Sequence, residues 1–199
     1  MIIDETKITS FQTICTIVLR ELRVERRLHQ AVVADQCGKP RSFWEKIEAG
    51  KSKLDFDVLL RACWALDVAP SLVMGTAERY TFAMKDRGWS VVFTDLGGAD
   101  ALLNHAIEYW DSPGHRAQQA SMWVDRAILD TPWRMDNVTY PGWYGLKAVF
   151  EYAVNEDFRA MQNDKERFKP LPSALDLAAQ NGVNGGGGVN GVNGDPQGI

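Results

Sequence analysis

Arg41, Ser42, Glu45 and Lys46 recur at a spacing that places all four on one edge of a short helix. Such an edge can read a DNA duplex. A guanidinium near the start of a groove-inserted helix bonds guanine O6 and N7 together, worth about 1–3 kcal/mol of base discrimination, whereas a flexible lysine mainly supplies charge. Arg41 is therefore the residue expected to carry most specificity. Glu45 can accept from cytosine N4 or pair with a surface lysine, and Phe43 can touch a thymine methyl or pack beside the first helix. No G-x-S-x-G, zinc spacing or phosphate-cradling glycine loop occurs. His105 and His115 are too far apart for i, i+4 metal ligation and read as surface histidines, while Glu108, Asp111, Asp125 and Asp130 read as solvated helix faces. The expectation is a protein with no catalytic residue, no metal and no cofactor.

Those side chains need a rigid mount. From Phe11 to Arg27 the apolar residues Phe11, Ile14, Cys15, Val18, Leu19 and Leu22 recur at three and four, the period of an amphipathic helix. Residues 30–37 give a second, short helix stopped by Gly38, and Pro40 opens a third of about ten residues that ends at Gly50. Val33, Ala34, Cys37, Trp44 and Ile47 would lock these two together as a helix-turn-helix whose second helix protrudes, the shape that a major groove roughly 12 Å wide admits. Phe56, Leu59, Leu60, Cys63 and Leu66 mark a fourth helix, and Pro70-Ser71 opens a short fifth.

Over residues 11–76 the chain closely resembles the Cro and lambda-repressor type helix-turn-helix family, also called the XRE family. The resemblance rests on Leu-x-x-Leu-Arg ending in Arg23, Leu28-x-Gln30, Ala34-x-x-x-Gly38, Ile47-Glu48-x-Gly50-Lys51, and Leu59-Leu60 through Ala65-Leu66-x-Val68, all in one register. It implies a five-helix DNA-binding fold, with Arg41, Ser42 and Lys46 on the major-groove face. It further implies that Gln30 contacts phosphate or bases, that Lys51 and Lys53 contact phosphate, and that Arg23 and Glu48 form a structural salt bridge. Three positions depart from the family pattern. His29 stands where Ser, Thr or Asn usually caps the second helix, Lys39-Pro40 replaces the small polar cap of the third, and Leu54 replaces a common proline.

The charge distribution agrees with a local DNA-binding segment. The whole chain carries -4, yet nine basic residues against five acidic ones leave +4 within residues 20–53. Three scattered cysteines, Cys15, Cys37 and Cys63, form no C-x-x-C and fit buried thiols in a reducing compartment. No apolar run reaches the roughly 20 residues that a membrane span needs, and the N-terminus lacks a basic-then-apolar leader, so a cytoplasmic protein without membrane contact is expected.

Beyond residue 79 the texture changes. Tyr80–Met84 and Trp89–Thr94 are β-rich and flank Lys-Asp-Arg-Gly, which reads as a hairpin turning at Gly88, followed by helical patterns at about 98–111, 115–129 and 142–163. From about 180 the Asn-Gly-Val repeats contain too little to bury and should be disordered. The expected fold is mainly α: a helix-turn-helix domain at 1–76, a smaller α+β dimerisation or regulatory domain at 80–168, and a tail at 180–199. Trp89, Trp110, Trp123, Trp133 and Trp143 supply a core, a dimer interface, or an effector pocket around Trp133, Tyr140, Trp143 and Tyr144. Trp64, on the outer side of the fourth helix, could join two domains or two subunits. The expected function is that of a transcriptional regulator, a repressor acting as a homodimer on double-stranded DNA. The alternative is an antitoxin-like protein-binding module that uses DNA only for autoregulation.

Overall fold

The computed structural model describes residues 4–120, 126–136, 138–139 and 141–169. Trp123, Asp125, Tyr140 and the expected tail at 180–199 lie outside the described residues. The helices are α1 (Phe11–Glu25), α2 (Gln30–Gln36), α3 (Ser42–Glu48), α4 (Phe56–Ala65), α5 (Pro70–Lys85), α6 (Ala101–Asp111), α7 (Pro113–Ala120), α8 (Ala148–Val154) and α9 (Glu156–Asn163). The strands are β1 (Ile8–Ser10), β2 (Ser90–Val92), β3 (Trp133–Met135) and β4 (Gly142–Tyr144).

The central element is α1, which buries Ile14, Cys15, Ile17, Val18, Leu19 and Leu22 and so touches core on most of its circumference. A helix apolar this far round has to be enclosed by others. It packs against α5 and α3 on one side and α6 on another, and Trp44, Ile47, Leu66, Val73, Tyr80, Leu102 and Phe150 complete one continuous core. Cys15, Cys37 and Cys63 are all buried, and burial pushes the Cys15 thiol up to about 12 and the Cys63 thiol up to about 11, which keeps both protonated at neutral pH.

Several elements differ from the sequence expectation. Tyr80–Met84 is not a strand but the last turns of α5, and no hairpin turns at Gly88. Tyr80 and Thr81 there are buried in step with Val73, Thr76, Ala77, Ala83 and Met84, while Phe82 faces out, so burial at helical period overrides strand propensity. Strand β2 instead pairs in parallel with β1, Ile8 opposite Ser90 and Ser10 opposite Val92. An antiparallel pair does form, between β3 and β4, with Trp133 opposite Tyr144. The expected 142–163 helix is β4 followed by α8 and α9. Asn155 separates the two helices and its side chain accepts from Phe158 N at 3.1 Å as the cap of α9. The 115–129 pattern is α7 and, at Ile128–Asp130, a 3-10 turn. Helix α5 runs through the expected boundary near residue 79, and Met1–Arg167 cluster as one compact unit. His105 and His115 are part-buried against Trp89, Tyr109 and Tyr152 rather than free on the surface, and burial pulls the His115 imidazole down to about 4.

The N-termini of α1 and α6 are tied by one buried carboxylate. Asp100 caps α6 by accepting from Leu103 N at 3.1 Å, and it also accepts from Thr9 Oγ1 (2.8 Å), Ser10 N (2.8 Å) and Thr13 Oγ1 (2.7 Å). Ser10 is itself the cap of α1. Deleting the Asp100 carboxylate leaves buried donors without acceptors, each costing about 1–3 kcal/mol. Asp100→Ala is expected to lower stability by about 3 kcal/mol in urea denaturation; a loss below about 1 kcal/mol would mean that the two helix starts hold without it.

Candidate nucleic-acid interface

Helix α2 begins at His29, whose Nδ1 accepts from Ala31 N at 3.1 Å, so the unusual imidazole does perform the capping. Gly38, with φ +63°, turns the chain out of α2, and Lys39 N closes back on Ala34 O at 3.0 Å. Phe43 N then bonds Pro40 O at 2.8 Å and Arg41 takes helical dihedrals, so α3 starts two residues after the proline, without a side-chain cap. Val33, Ala34 and Cys37 below and Trp44 and Ile47 above are buried, which fixes the two short helices on each other.

That packing leaves Arg41, Ser42, Glu45 and Lys46 exposed along one edge of α3. Phe43 is half-buried against the core, with the Lys39 ammonium 5.5 Å from its ring centre. Past the helix, Lys51 and Lys53 are exposed, and the loop that carries them is tied to α3: Lys51 N and Ser52 N both donate to Lys46 O, at 2.7 and 3.0 Å. Gly50 makes this loop possible. Its φ is +67°, and a Cβ there would collide with the Leu103 side chain of α6. Helix α3 therefore ends on a buttress from outside the helix-turn-helix.

The strongest interaction in the site lies on the inner face of α3. Glu48 is buried and accepts from Arg23 Nε at 2.6 Å and from Arg23 Nη2 at 2.8 Å, a two-pronged ion pair across α1 and α3. The same carboxylate accepts from Gln30 Nε2 at 2.6 Å and from Trp44 Nε1 at 2.6 Å. Arg23 also donates from Nη1 to Leu28 O at 2.8 Å, pinning the α1–α2 turn. One acidic group thus joins α1, α2 and α3. Gln30 is half-buried and commits one of its two amide N–H donors to Glu48, which leaves the other for an outside acceptor.

Two members of this arrangement were not legible as donors. Trp44 reads as a core residue, although its spacing of four from Glu48 puts the two on one helix face. Arg20 reads as part of the basic patch, yet its guanidinium stacks 3.5 Å from the Trp110 ring centre, bonds Glu21 Oε1 at 3.0 Å, and lies 3.8 Å from Glu48 Oε2. Trp110 Nε1 donates to the same Glu21 oxygen at 3.0 Å, and burial raises the Glu21 carboxyl above its ordinary value. Further along α1, Glu25 takes Lys147 Nζ at 2.6 Å and Ile128 N at 2.9 Å. Residues 100–150 thus hold the helix that holds α3. At the β3–β4 hairpin, Trp133 lies under the Arg126 guanidinium, 4.3 Å away, and Trp143 stacks parallel to Phe82.

Replacing Glu48 by Gln keeps its volume and removes its charge, leaving the Arg23 guanidinium buried without a counter-ion. Breaking a buried pair in this way costs about 3–5 kcal/mol, whereas Trp44→Phe deletes a single neutral donor at about 1 kcal/mol. Urea denaturation of the two variants should rank them in that order; equal losses would contradict the assignment of Glu48 as the hub.

Residues 17–73 match the helix-turn-helix domain family. No curated protein and no solved structure matches the chain. The matched stretch takes in most of α1, all of α2, α3 and α4, and the start of α5, in keeping with an XRE-type segment, so the edge of α3 and its basic loop lie within the helix-turn-helix match, which suggests DNA binding.

Proposed function

We propose that this chain is a sequence-specific transcriptional regulator that represses by occupying an operator in double-stranded DNA as a homodimer, in the cytoplasm and without covalent chemistry. The observation that carries this reading is the exposed edge Arg41, Ser42, Glu45 and Lys46 on a helix locked from behind by Glu48, with Lys51 and Lys53 on a loop tied to its C-terminal end. The basic segment draws the protein to the duplex, α3 enters the major groove, and Gln30, Lys51 and Lys53 clamp phosphates. Glu45 sits beside these cations and favours a base edge that donates, as cytosine N4 does. Phe43 is held by Lys39 and the core, so its rim is what remains for a thymine methyl.

Dimerisation follows from affinity, since one helix-turn-helix makes few base contacts and two copies read half-sites about 34–36 Å apart. The ties from Trp110, Lys147 and Leu103 to α1 and α3 give residues 80–168 a mechanical route to the reading edge, which is the geometry that an effector or a partner protein acting on that region would use. Among the described residues no single helix is long and apolar enough to cross a membrane.

The division of roles is testable on duplexes selected from a random pool. Arg41→Ala should relax preference at one base position, costing about 1–3 kcal/mol on the selected site and little on random duplex. Lys51→Ala should weaken binding to every sequence alike and reduce the slope of log affinity against log salt by about 1. Identical effects of both changes on selected and random duplexes would contradict the assignment.

A further inference from the structure

We propose that the loop from β2 to α6 is a second part of the duplex-facing surface, and that Asp95 within it is an acidic brake on the phosphate clamp of Lys51 and Lys53. This rests on the DNA-binding reading above and adds to it a residue outside the matched stretch 17–73. Both ends of the loop are fixed on the start of α1. Val92 lies opposite Ser10 where β2 ends, and Asp100, where α6 begins, accepts from Thr9, Ser10 and Thr13. Between these anchors Asp95 Oδ1 accepts from Gly97 N at 3.0 Å, and Asn104 Nδ2 donates to Gly98 O at 3.3 Å. The Asp95 carboxylate is thus positioned by its own loop.

The same loop meets the clamp. Asp95 shares with Lys51 and Lys53 the lining of a recess of about 140 Å³, in which Thr16 and Leu103 are the buried contacts. Leu103 is also the side chain under Gly50, so one strut supports the basic loop and the recess together. A recess of that volume is narrower than the roughly 10 Å over which charges act at 0.1 M salt, so a phosphate taken up by the two lysines enters the field of the carboxylate. Asp95 is the one acid among the residues lining it. All three charged residues are exposed, and among the described residues none of them forms an ion pair. The acids nearer in sequence are engaged elsewhere: Asp55 accepts from Val58 N at 2.8 Å as the cap of α4, and Asp57 pairs with Arg61 at 2.8 Å. An anion beside a phosphate site subtracts from the sequence-independent part of binding, because it repels the phosphate and offsets one of the cations that would displace counter-ions. Arg41, Ser42, Glu45 and Lys46 do not line the recess, so the brake acts on the clamp and not on the choice of bases.

Fluorescence anisotropy of the full chain on selected and on random duplexes, across about 50 to 300 mM salt, tests this. Asp95→Asn retains an oxygen for Gly97 N and removes the charge. It should tighten binding to both duplexes by about three- to tenfold and steepen the slope of log affinity against log salt by up to about 1. Asp95→Glu should stay within about twofold of the unaltered protein. The gain from Asp95→Asn should fall by at least about half when Lys51 and Lys53 are both replaced by alanine, and should survive in full beside Arg41→Ala. Circular dichroism should report unchanged helix content throughout, since these residues are exposed. An Asp95→Asn affinity within about 1.5-fold of the unaltered protein, weaker binding, or a gain undiminished without the two lysines would each overturn the brake. The two readings fail differently. Absence of duplex binding by the unaltered protein and by Asp95→Asn alike removes the DNA-binding reading and the brake with it, whereas normal duplex binding that is indifferent to Asp95→Asn removes the brake alone.

Discussion

The Glu48 carboxylate is the constraint on which the exposed edge of α3 depends. Four hydrogen bonds from three residues converge on two oxygens out of water, so the carboxylate holds α1, α2 and α3 at fixed mutual positions. Such a group costs desolvation and returns geometry, because a buried charge is tolerated only where every partner is in place. For a helix seven residues long this matters more than propensity. An isolated segment of that length does not hold helical structure in water, and the edge carrying Arg41 and Lys46 is rigid only because its inner face is fastened at Trp44, Ile47 and Glu48.

The same logic recurs along α1. Glu21 takes Trp110, Glu25 takes Lys147 and the backbone of Ile128, and Asp100 takes the cap of α1 from the other end. Helix α1 is thus held by α3 and α5 and also by residues that follow α5. Leu103 adds an apolar strut under Gly50. Between α6, the segment around Lys147 and the exposed edge of α3 lie packed side chains, and α5 runs unbroken from Pro70 to Lys85.

Much of the helix-turn-helix was legible because its signals are local. The period of α1, the stop at Gly38, and the positions that face inward on α2 and α3 can each be read within one or two turns of chain. The donors to Glu48 were less legible. A tryptophan in an apolar stripe gives no sign that its N–H has a charged partner, and a histidine at a cap position looks like a defect until its ring nitrogen is seen to accept. At Tyr80–Met84 strand-forming residue types were committed to a helix by tertiary packing, and the expected 142–163 helix was divided by the β4 pairing and by the Asn155 cap. The strand that did form, β2, found its partner more than eighty residues earlier in β1, a pairing that no local pattern encodes.

The account stands or falls on whether the edge of α3 reads bases from the major groove. Dimethyl sulfate protection on duplexes selected from a random pool measures this, because guanine N7 opens onto that groove and bidentate arginine covers it. The expected result is enrichment of one motif, with a guanine N7 protected by the unaltered protein and exposed with Arg41→Ala. Recovery of no motif, or of a motif whose guanines stay fully reactive, would contradict it.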